Sequence, residues 1–264
     1  MMNPATLGMG SSNVKRGRRE SRPRVGVLDP RLSRAVTAHA LVVAGLNVAH
    51  SLRARGLRRT SFLAVVGIAI PVLGELLAVD ALKMLRHHLR PQVGGVPLAI
   101  ALAWYNVGYG TFAVMESVLD VTDPREGKRS RALVPAASLA ATSLDLLLDP
   151  AGLDLNLWQW RDDGPYAAEV KGPNGKRGVP LLNFVGWIGL TTSVALAYQR
   201  LNPGAFCPSG SGAASNPEVG RRAALVLLSY YLPAAAWATK RRRRKYLLYS
   251  APFSAALWAA LKNR

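Results

Sequence analysis

Two aspartates four residues apart, Asp145 and Asp149, are the pair in this sequence best suited to chemistry. Residues four apart lie on the same face of a helix, so both carboxyls are expected to face one partner, about 6 Å apart along the helix axis. Both lie in or at the end of an apolar segment. Since an ionised carboxylate is costly in hydrocarbon, such a group binds a proton or meets a cation or a polar partner. The pair therefore predicts acid–base chemistry in a water-poor site.

Two further polar residues are predicted to assist this pair. Glu75 lies at a comparable depth in an earlier apolar segment, after Pro71 and Gly74, where a weakened helix can leave polar backbone exposed. Asn183 lies one turn into a later segment, and its amide can orient a water molecule. The alternative for the carboxyls is a structural role, in which they sit near helix ends in interfacial water and only cap or pair.

Aromatic residues surround these polar groups in the sequence. Trp158, Trp160 and Tyr166 follow the aspartate pair, while Trp104 and Trp187 each lie near the start of an apolar segment. Such rings suit a membrane interface whatever the function. Alternatively, their faces stabilise a substrate that becomes cationic in a dry site, because ring quadrupoles attract positive charge.

Other kinds of site lack support in the sequence. A phosphate loop, a nucleophile elbow and an HExxH motif are absent, which argues against ATP hydrolysis, serine hydrolysis and zinc proteolysis. The single cysteine, Cys207, cannot build a disulfide framework or a thiolate metal site within one chain. His87 and His88 stand beside arginines and are predicted to face lipid headgroups, and Glu116 is predicted to be interfacial. No metal site and no cofactor are predicted.

The composition favours a membrane protein. Half of the 264 residues are hydrophobic, and the mean hydropathy is +0.12. The 34 Lys and Arg residues exceed the 15 Asp and Glu residues, giving a net charge of +19. The basic clusters are separated by apolar runs, so they form no continuous basic groove, which argues against nucleic-acid binding.

The apolar runs predict an all-α, polytopic integral membrane bundle of about seven transmembrane helices, because each is near the roughly 20 residues that cross a bilayer. Residues 1–33 are predicted to be a disordered basic tail and residues 34–264 the transmembrane domain, with a loose loop at 202–220. The N-terminus is expected inside, in the cytoplasmic membrane, since this places the tail and the basic run 240–245 in the cytoplasm. The predicted spans are 35–51, 60–79, 93–118, 132–149, 178–199, 222–239 and 246–261.

A short repeat adds a prediction about architecture. Gly-Val-Pro-Leu occurs at residues 95–98 and 178–181, and Trp104 or Trp187 follows at the same spacing. Each copy opens a predicted span and follows a span that ends in acidic residues. The pattern predicts a two-helix unit used twice in parallel, and chance similarity is the alternative. In either case the ends of spans two and four and the starts of spans three and five lie at one membrane face.

The stretch from Asp145 to Trp187 resembles the membrane carotenoid biosynthesis protein family that includes carotenoid hydratases of bacterioruberin and myxol-type pathways. A weaker match covers the first half. The chain departs from the family in the charged residues between Tyr166 and Gly178 and in its basic tail, which bears on the substrate more than on the fold. The matching residues are Asp145, Leu148-Asp149-Pro150, Trp158, Trp160, Tyr166, Gly178-Val179-Pro180, Asn183 and Gly186-Trp187, with Gly74-Glu75, Gly95-Val96-Pro97-Leu98 and Trp104 in the first half.

The resemblance implies addition of water to the terminal double bond of an acyclic carotenoid, a lipophilic substrate taken from the membrane lipid. In this hypothesis Asp145 donates the proton, and Asp149 is its hydrogen-bond partner or the base that activates water. Asn183 and Glu75 help to place the water. No redox cofactor is needed, because hydration leaves the oxidation level unchanged. The residues expected to bind substrate are Trp104, Trp158, Trp160, Tyr166 and Trp187.

Two alternatives stay open. If the pocket excludes water and folds a prenyl chain, another alkene captures the same cation and the protein is a terpene cyclase. The charged residues between Tyr166 and Gly178 would then contact a polar head such as a quinone, a phenol or a diphosphate. The second alternative is a small transporter or lipid-binding protein, in which the carboxyls couple transport to protons.

Overall fold

Helices make up most of the structure. A computed structural model describes residues 28–121, 127–201 and 217–262. Together they form a helical bundle with small β-ribbons, which confirms the predicted all-α membrane fold. The helices are α1 (Pro30–Leu76), α2 (Leu98–Val118), α3 (Gly127–Asp154), α4 (Leu181–Leu201), α5 (Pro217–Lys240), α6 (Lys245–Tyr249) and α7 (Ala251–Lys262), and a π-helical turn, Leu77–Ala81, follows α1.

Helix α1 folds back on itself at Gly56. Gly56 has φ 78° and ψ 169°, a conformation that is essentially restricted to glycine. The Ser51 and Thr60 hydroxyls lie 2.9 Å apart, whereas nine residues of straight helix would separate them by about 13 Å. The two arms, residues 30–55 and 57–76, therefore run antiparallel. They correspond to the first two predicted spans.

Four helices of the described chain are long and apolar enough to cross a membrane. They are α1 together with the π-helical turn, α2, α3 from Arg131 onward, and α4. In their most apolar stretches α2 is 67% buried, whereas α1 and α4 are 22% and 28% buried. Helix α2 is thus the centre of the bundle, and α1 and α4 direct apolar side chains outward, as lipid contact requires. Further crossings by α5 and by the α6–α7 pair stay a prediction.

The connections between the helices contain three antiparallel two-stranded ribbons. These ribbons were not predicted from the sequence, because strands of two to six residues carry little periodicity. Strands β2 and β3 form a hairpin before α2, β5 and β6 form one before α4, and β1 pairs with β4 across the two connections. The strands are β1 (Leu85–His87), β2 (Gln92–Val93), β3 (Val96–Pro97), β4 (Trp158–Trp160), β5 (Tyr166–Lys171) and β6 (Arg177–Val179).

The repeated Gly-Val-Pro-Leu marks the same junction in both halves, where β3 leads into α2 and β6 leads into α4. Trp104 and Trp187, which occupy equivalent positions after it, stack with their ring centroids 3.9 Å apart. Strands β1 and β4 pair with Arg86 opposite Gln159 at the centre. Helices α2 and α4 therefore begin at the same end of the bundle, as the parallel arrangement predicts.

The two ends of the bundle are chemically different. The ribbon end carries the ribbons, the start of α1, where the Arg90 backbone N–H donates to the Ser33 hydroxyl at 2.8 Å, and the end of α5, where the Trp237 indole donates to Asp154 at 2.9 Å. The turn end carries the Gly56 turn, the end of α2 and the start of α5. The ends of predicted spans two and four and the starts of spans three and five meet at the ribbon end.

The N-terminal boundary differs from the prediction. Helix α1 begins at Pro30, because the Asp29 carboxylate accepts a hydrogen bond from the Arg31 backbone N–H at 2.8 Å and proline suits the first turn of a helix. The last residues of the predicted tail are therefore helical. Residues 1–27 of that tail lie outside the described residues.

The C-terminal segments also differ. Most of the predicted loop at 202–220, with Cys207, lies outside the described residues, and its last residues, from Pro217, already belong to α5. The predicted span 246–261 is divided at Ser250 into α6 and α7.

Candidate active site

The predicted aspartate pair meets Asn183 at the ribbon end. Asp145 and Asp149 lie in the last turns of α3 and are 4% and 2% exposed. Asn183, in the first turn of α4, donates from Nδ2 to Asp145 Oδ2 at 2.8 Å and to Asp149 Oδ2 at 2.7 Å. One amide therefore joins two buried carboxyls, as their helical spacing allows.

Strand β4 supplies further donors to Asp149. The Trp158 indole N–H donates to Asp149 Oδ1 at 2.5 Å, and the Trp160 indole N–H approaches the same oxygen at 3.4 Å. Asp149 thus accepts three N–H groups. Asp145 accepts only that of Asn183 among the described residues.

Glu75 forms a second polar group near the end of α1. Its Oε1 accepts the Trp104 indole N–H at 2.9 Å, and its Oε2 lies 2.8 Å from His87 Nε2. His87 is 6% exposed, so its predicted position against lipid headgroups is wrong. In β1, Leu85 and His87 point inward and Arg86 points outward, because side chains alternate along a strand.

The two polar groups line one cavity of about 90 Å³. On this measure one water needs roughly 10–15 Å³, so the space suits a few waters or the end of an apolar chain. Its lining, in which polar groups converge within a largely apolar wall, is typical of a small-molecule site. The aromatic lining residues are Trp104, Trp158, Trp160, Trp187 and Tyr230.

Tyr230 is a cavity residue that the sequence analysis missed. Its hydroxyl accepts a hydrogen bond from Asn106 Nδ2 at 2.9 Å, and the same amide donates to the Ala40 carbonyl at 3.1 Å. Asn106 is fully buried in α2. Because it accepts this bond, the Tyr230 hydroxyl keeps its own hydrogen for a second partner. The signal for this contact in the sequence was Asn106, a polar amide in a part of the span without charged residues.

Tyr166 holds the helix that carries the aspartates. Pro150 lacks the N–H that would bond to the Leu146 carbonyl in a regular helix, and the Tyr166 hydroxyl donates to that carbonyl at 2.6 Å. Burial, together with the neighbouring Tyr246, raises the pKa of Tyr166, so the hydroxyl stays protonated and remains a donor. Tyr166 is not among the residues that line the cavity.

The charged segment between Tyr166 and Gly178 has a structural contact. Glu169 accepts a hydrogen bond from the Tyr246 hydroxyl and pairs with Lys245 Nζ at 2.9 Å. Although burial opposes the effect, the hydrogen bonds from Tyr246 and Lys245 lower the pKa of Glu169 to about 2. This carboxylate therefore anchors the β5–β6 hairpin to α6.

Glu116 lies at the end of α2, outside the set of residues that line the cavity, and it is buried, while its predicted interfacial position stays a prediction. It is 8% exposed, and Arg55 donates to both of its oxygens, at 3.1 Å and 2.5 Å. Arg55 precedes the Gly56 turn and reaches across to the end of α2. The pair joins α1 to α2 at the turn end. Within the described ranges, no group of three or more His, Cys, Asp or Glu side chains could hold a metal ion.

Comparison with known proteins identifies the family. The family model for carotenoid biosynthesis proteins matches residues 35–231, which is most of the chain and includes every residue of the cavity. No curated protein and no solved structure matches the chain. The chain belongs to the carotenoid biosynthesis protein family.

Proposed function

We propose that this member of the carotenoid biosynthesis protein family adds water to the terminal isoprenoid double bond of an acyclic carotenoid. The observation that carries the proposal is the Asp145–Asn183–Asp149 group in the wall of a small cavity lined by tryptophans. An unactivated alkene is protonated only by an acid that still carries its proton and is held against the double bond. A carboxylic acid that stays protonated in an apolar site meets this need.

Asp145 is the proton donor in this proposal. Hydrogen bonds from N–H groups favour the ionised form of a carboxyl. Asp149 accepts three of them and Asp145 one, so the negative charge rests on Asp149 and the proton on Asp145. Asp149 is then available as the base.

The reaction balances without a cofactor. Asp145 transfers its proton to the less substituted alkene carbon, which leaves a tertiary cation facing the tryptophan rings. A water placed by Asn183 and Glu75 attacks the cation, and Asp149 takes the proton that this water loses. Return of that proton to Asp145 through water closes the cycle, and the product is a tertiary alcohol.

The contacts of the β5–β6 segment favour hydration over cyclisation of a substrate that carries a polar head. The charged β5–β6 segment offers no support for a polar substrate head at Glu169, because this carboxylate is engaged by Lys245 and Tyr246.

The test is to express the chain in a bacterial host that makes an acyclic carotene and to analyse the pigments by mass spectrometry. We expect a product heavier by one water, and a loss of at least about a hundredfold with Asp145→Asn, because the general acid is removed. Asp154→Asn is the matched control. Asp154 lies in the same helix and accepts an indole N–H from Trp237, but it does not line the cavity.

Other products would overturn the proposal. An isomer of unchanged mass would identify a cyclase. Unchanged carotene in cells whose membranes contain the protein would exclude hydration of that substrate. Equal losses in Asp145→Asn and Asp154→Asn would remove the special role of Asp145.

A further inference from the structure

An open groove lies beside the candidate active site at the ribbon end. It has a volume of about 710 Å³ and is lined by Arg34, Arg86, Arg90 and His88, and none of the described residues that line it is acidic. We call it the arginine groove. His87 lines both the groove and the active-site cavity, so the two adjoin each other at this side chain.

Ordered elements bring the three arginines together. Arg86 projects from β1 on the side opposite the buried Leu85 and His87, and the pairing of β1 with β4 maintains this direction. The Arg90 backbone is held against the first turns of α1, where its carbonyl accepts the Thr37 hydroxyl at 3.1 Å. The groove is therefore part of the fold.

The positive charge of the groove is not balanced by neighbouring side chains. The guanidinium groups of Arg34 and Arg86 form no hydrogen bond or ion pair with any described residue, and that of Arg90 donates to the neutral Gln92 amide at 2.9 Å. Like charges in one groove repel each other. Guanidinium groups match phosphate geometry and bind it with paired hydrogen bonds. The chemistry of the groove therefore fits a phosphate.

The surroundings of the groove fit an amphiphile. Leu28 and Val79 contribute apolar wall to the groove, and Leu77 and Val93 nearby in the chain are 54% and 86% exposed. The groove lies where α1 begins, at the boundary between the apolar arms and the polar ribbons. A lipid bound here would place its phosphate among the arginines and its acyl chains along the apolar residues of α1.

We propose that the arginine groove binds the phosphate headgroup of an anionic phospholipid. Basic pockets at the cytoplasmic end of membrane helices bind anionic headgroups through such charges. The bound lipid would also cover the outer side of His87, next to the candidate active site. This site is separate from the proposed hydration chemistry and stands or falls independently of it.

The test uses the purified full-length chain, stripped of lipid in a neutral detergent and studied by native mass spectrometry. Phosphatidylglycerol, phosphatidylcholine and inorganic phosphate are titrated separately. We expect at least one phosphatidylglycerol to bind about tenfold or more tightly than phosphatidylcholine. Combined Arg34→Gln, Arg86→Gln and Arg90→Gln should remove the preference, and Arg86→Gln alone should reduce it.

A triple variant at the turn end is the matched control. Arg53, Arg58 and Arg200 are exposed there, so changing them to Gln removes the same charge from the other end and should leave the preference intact. Equal losses in both triple variants would show an effect of overall charge and overturn the proposal. The proposal would also fail if the wild type bound phosphatidylglycerol and phosphatidylcholine equally, or if inorganic phosphate displaced phosphatidylglycerol at the same concentration. Elution of each variant as a single folded species validates the comparison.

Discussion

Indole, imidazole and amide groups hold the carboxyls of the cavity. Asp149 accepts indole and amide N–H groups, and Glu75 meets an indole and an imidazole. An indole or amide donor is uncharged, so it orients a carboxyl without fixing that carboxyl as an anion. The protonation state of the carboxyl can therefore change during a reaction. Glu116 is the contrasting case, because its partner is the permanently charged guanidinium of Arg55.

The first prediction at this scale concerns His87. His87→Phe keeps a ring in β1 but removes the contact with Glu75, and we expect the yield of the hydrated product to fall by about tenfold to hundredfold as Glu75 loses its position. His88→Phe is the control, since His88 Nδ1 contacts Asn156 Oδ1 at 2.6 Å and does not line the cavity. The readout is product per unit of membrane protein. Equal activity in the two variants would contradict the role of His87.

The second prediction at the residue scale concerns the buried ion pair of Arg55 and Glu116. Arg55→Met leaves the Glu116 charge unpaired, which costs about 3–5 kcal/mol in a buried site and should sharply lower the unfolding temperature in detergent. Arg55→Met combined with Glu116→Leu removes both charges and should recover much of this loss. Both effects are measured by thermal unfolding. Failure of the double variant to recover would indicate that the pair has a role beyond mutual neutralisation.

At the scale of elements, interruptions in the helices create the site. Pro150 frees the Leu146 carbonyl, and Tyr166 from β5 fills the vacant bond, which locks the hairpin to the helix that carries the aspartates. Gly56 reverses α1 and so brings Glu75 back to the ribbon end. Breaks that weaken an isolated helix thus become points of attachment in the bundle.

The Gly56 turn gives the prediction at this scale. Gly56→Ala forces a side chain into a backbone conformation that costs about 1–3 kcal/mol, so the unfolding temperature should fall. Gly45→Ala, in the first arm of α1, meets open space and lies in regular helix, so it should be neutral or slightly stabilising. Thermal unfolding of both variants in the same detergent tests this. A drop of equal size in both would show that α1 tolerates no added methyl group, whatever the backbone angle.

At the scale of the whole molecule, both ends of the bundle carry basic residues, and Lys and Arg are more numerous at the ribbon end. This end holds the arginine groove, the basic run 240–245 and the start of α1, to which the basic tail connects. At the turn end Arg53, Arg58 and Arg200 are exposed, whereas Arg55 is paired with Glu116 inside the protein. The positive-inside rule therefore favours a cytoplasmic ribbon end, with the N-terminus inside.

Cysteine labelling tests this orientation. After Cys207→Ser, the chain contains no cysteine, so a single new one reports one position. In intact cells, a membrane-impermeant maleimide should label Arg58→Cys at the turn end. It should label Lys176→Cys, in the β5–β6 hairpin, only after permeabilisation. The reverse pattern would place the ribbon end and the candidate site outside.

The sequence by itself determined the features that depend on residues close to each other along the chain. The length of the apolar runs predicted the helices, and the four-residue spacing of Asp145 and Asp149 predicted their common face. The repeated Gly-Val-Pro-Leu predicted that α2 and α4 begin at one end, and this brought Asn183 into reach of the pair. These conclusions hold because helix geometry and membrane thickness act locally along the chain.

Only the tertiary structure decided which polar groups meet. The contact of His87 with Glu75 needs the short strand β1, and the ion pair of Arg55 with Glu116 joins residues 61 positions apart. Strands as short as β1 and β4 depend on each other for their ladder of backbone hydrogen bonds, so neither has a strong signal of its own. The identity of a buried partner depends on how helices pack, and packing is a property of the whole bundle.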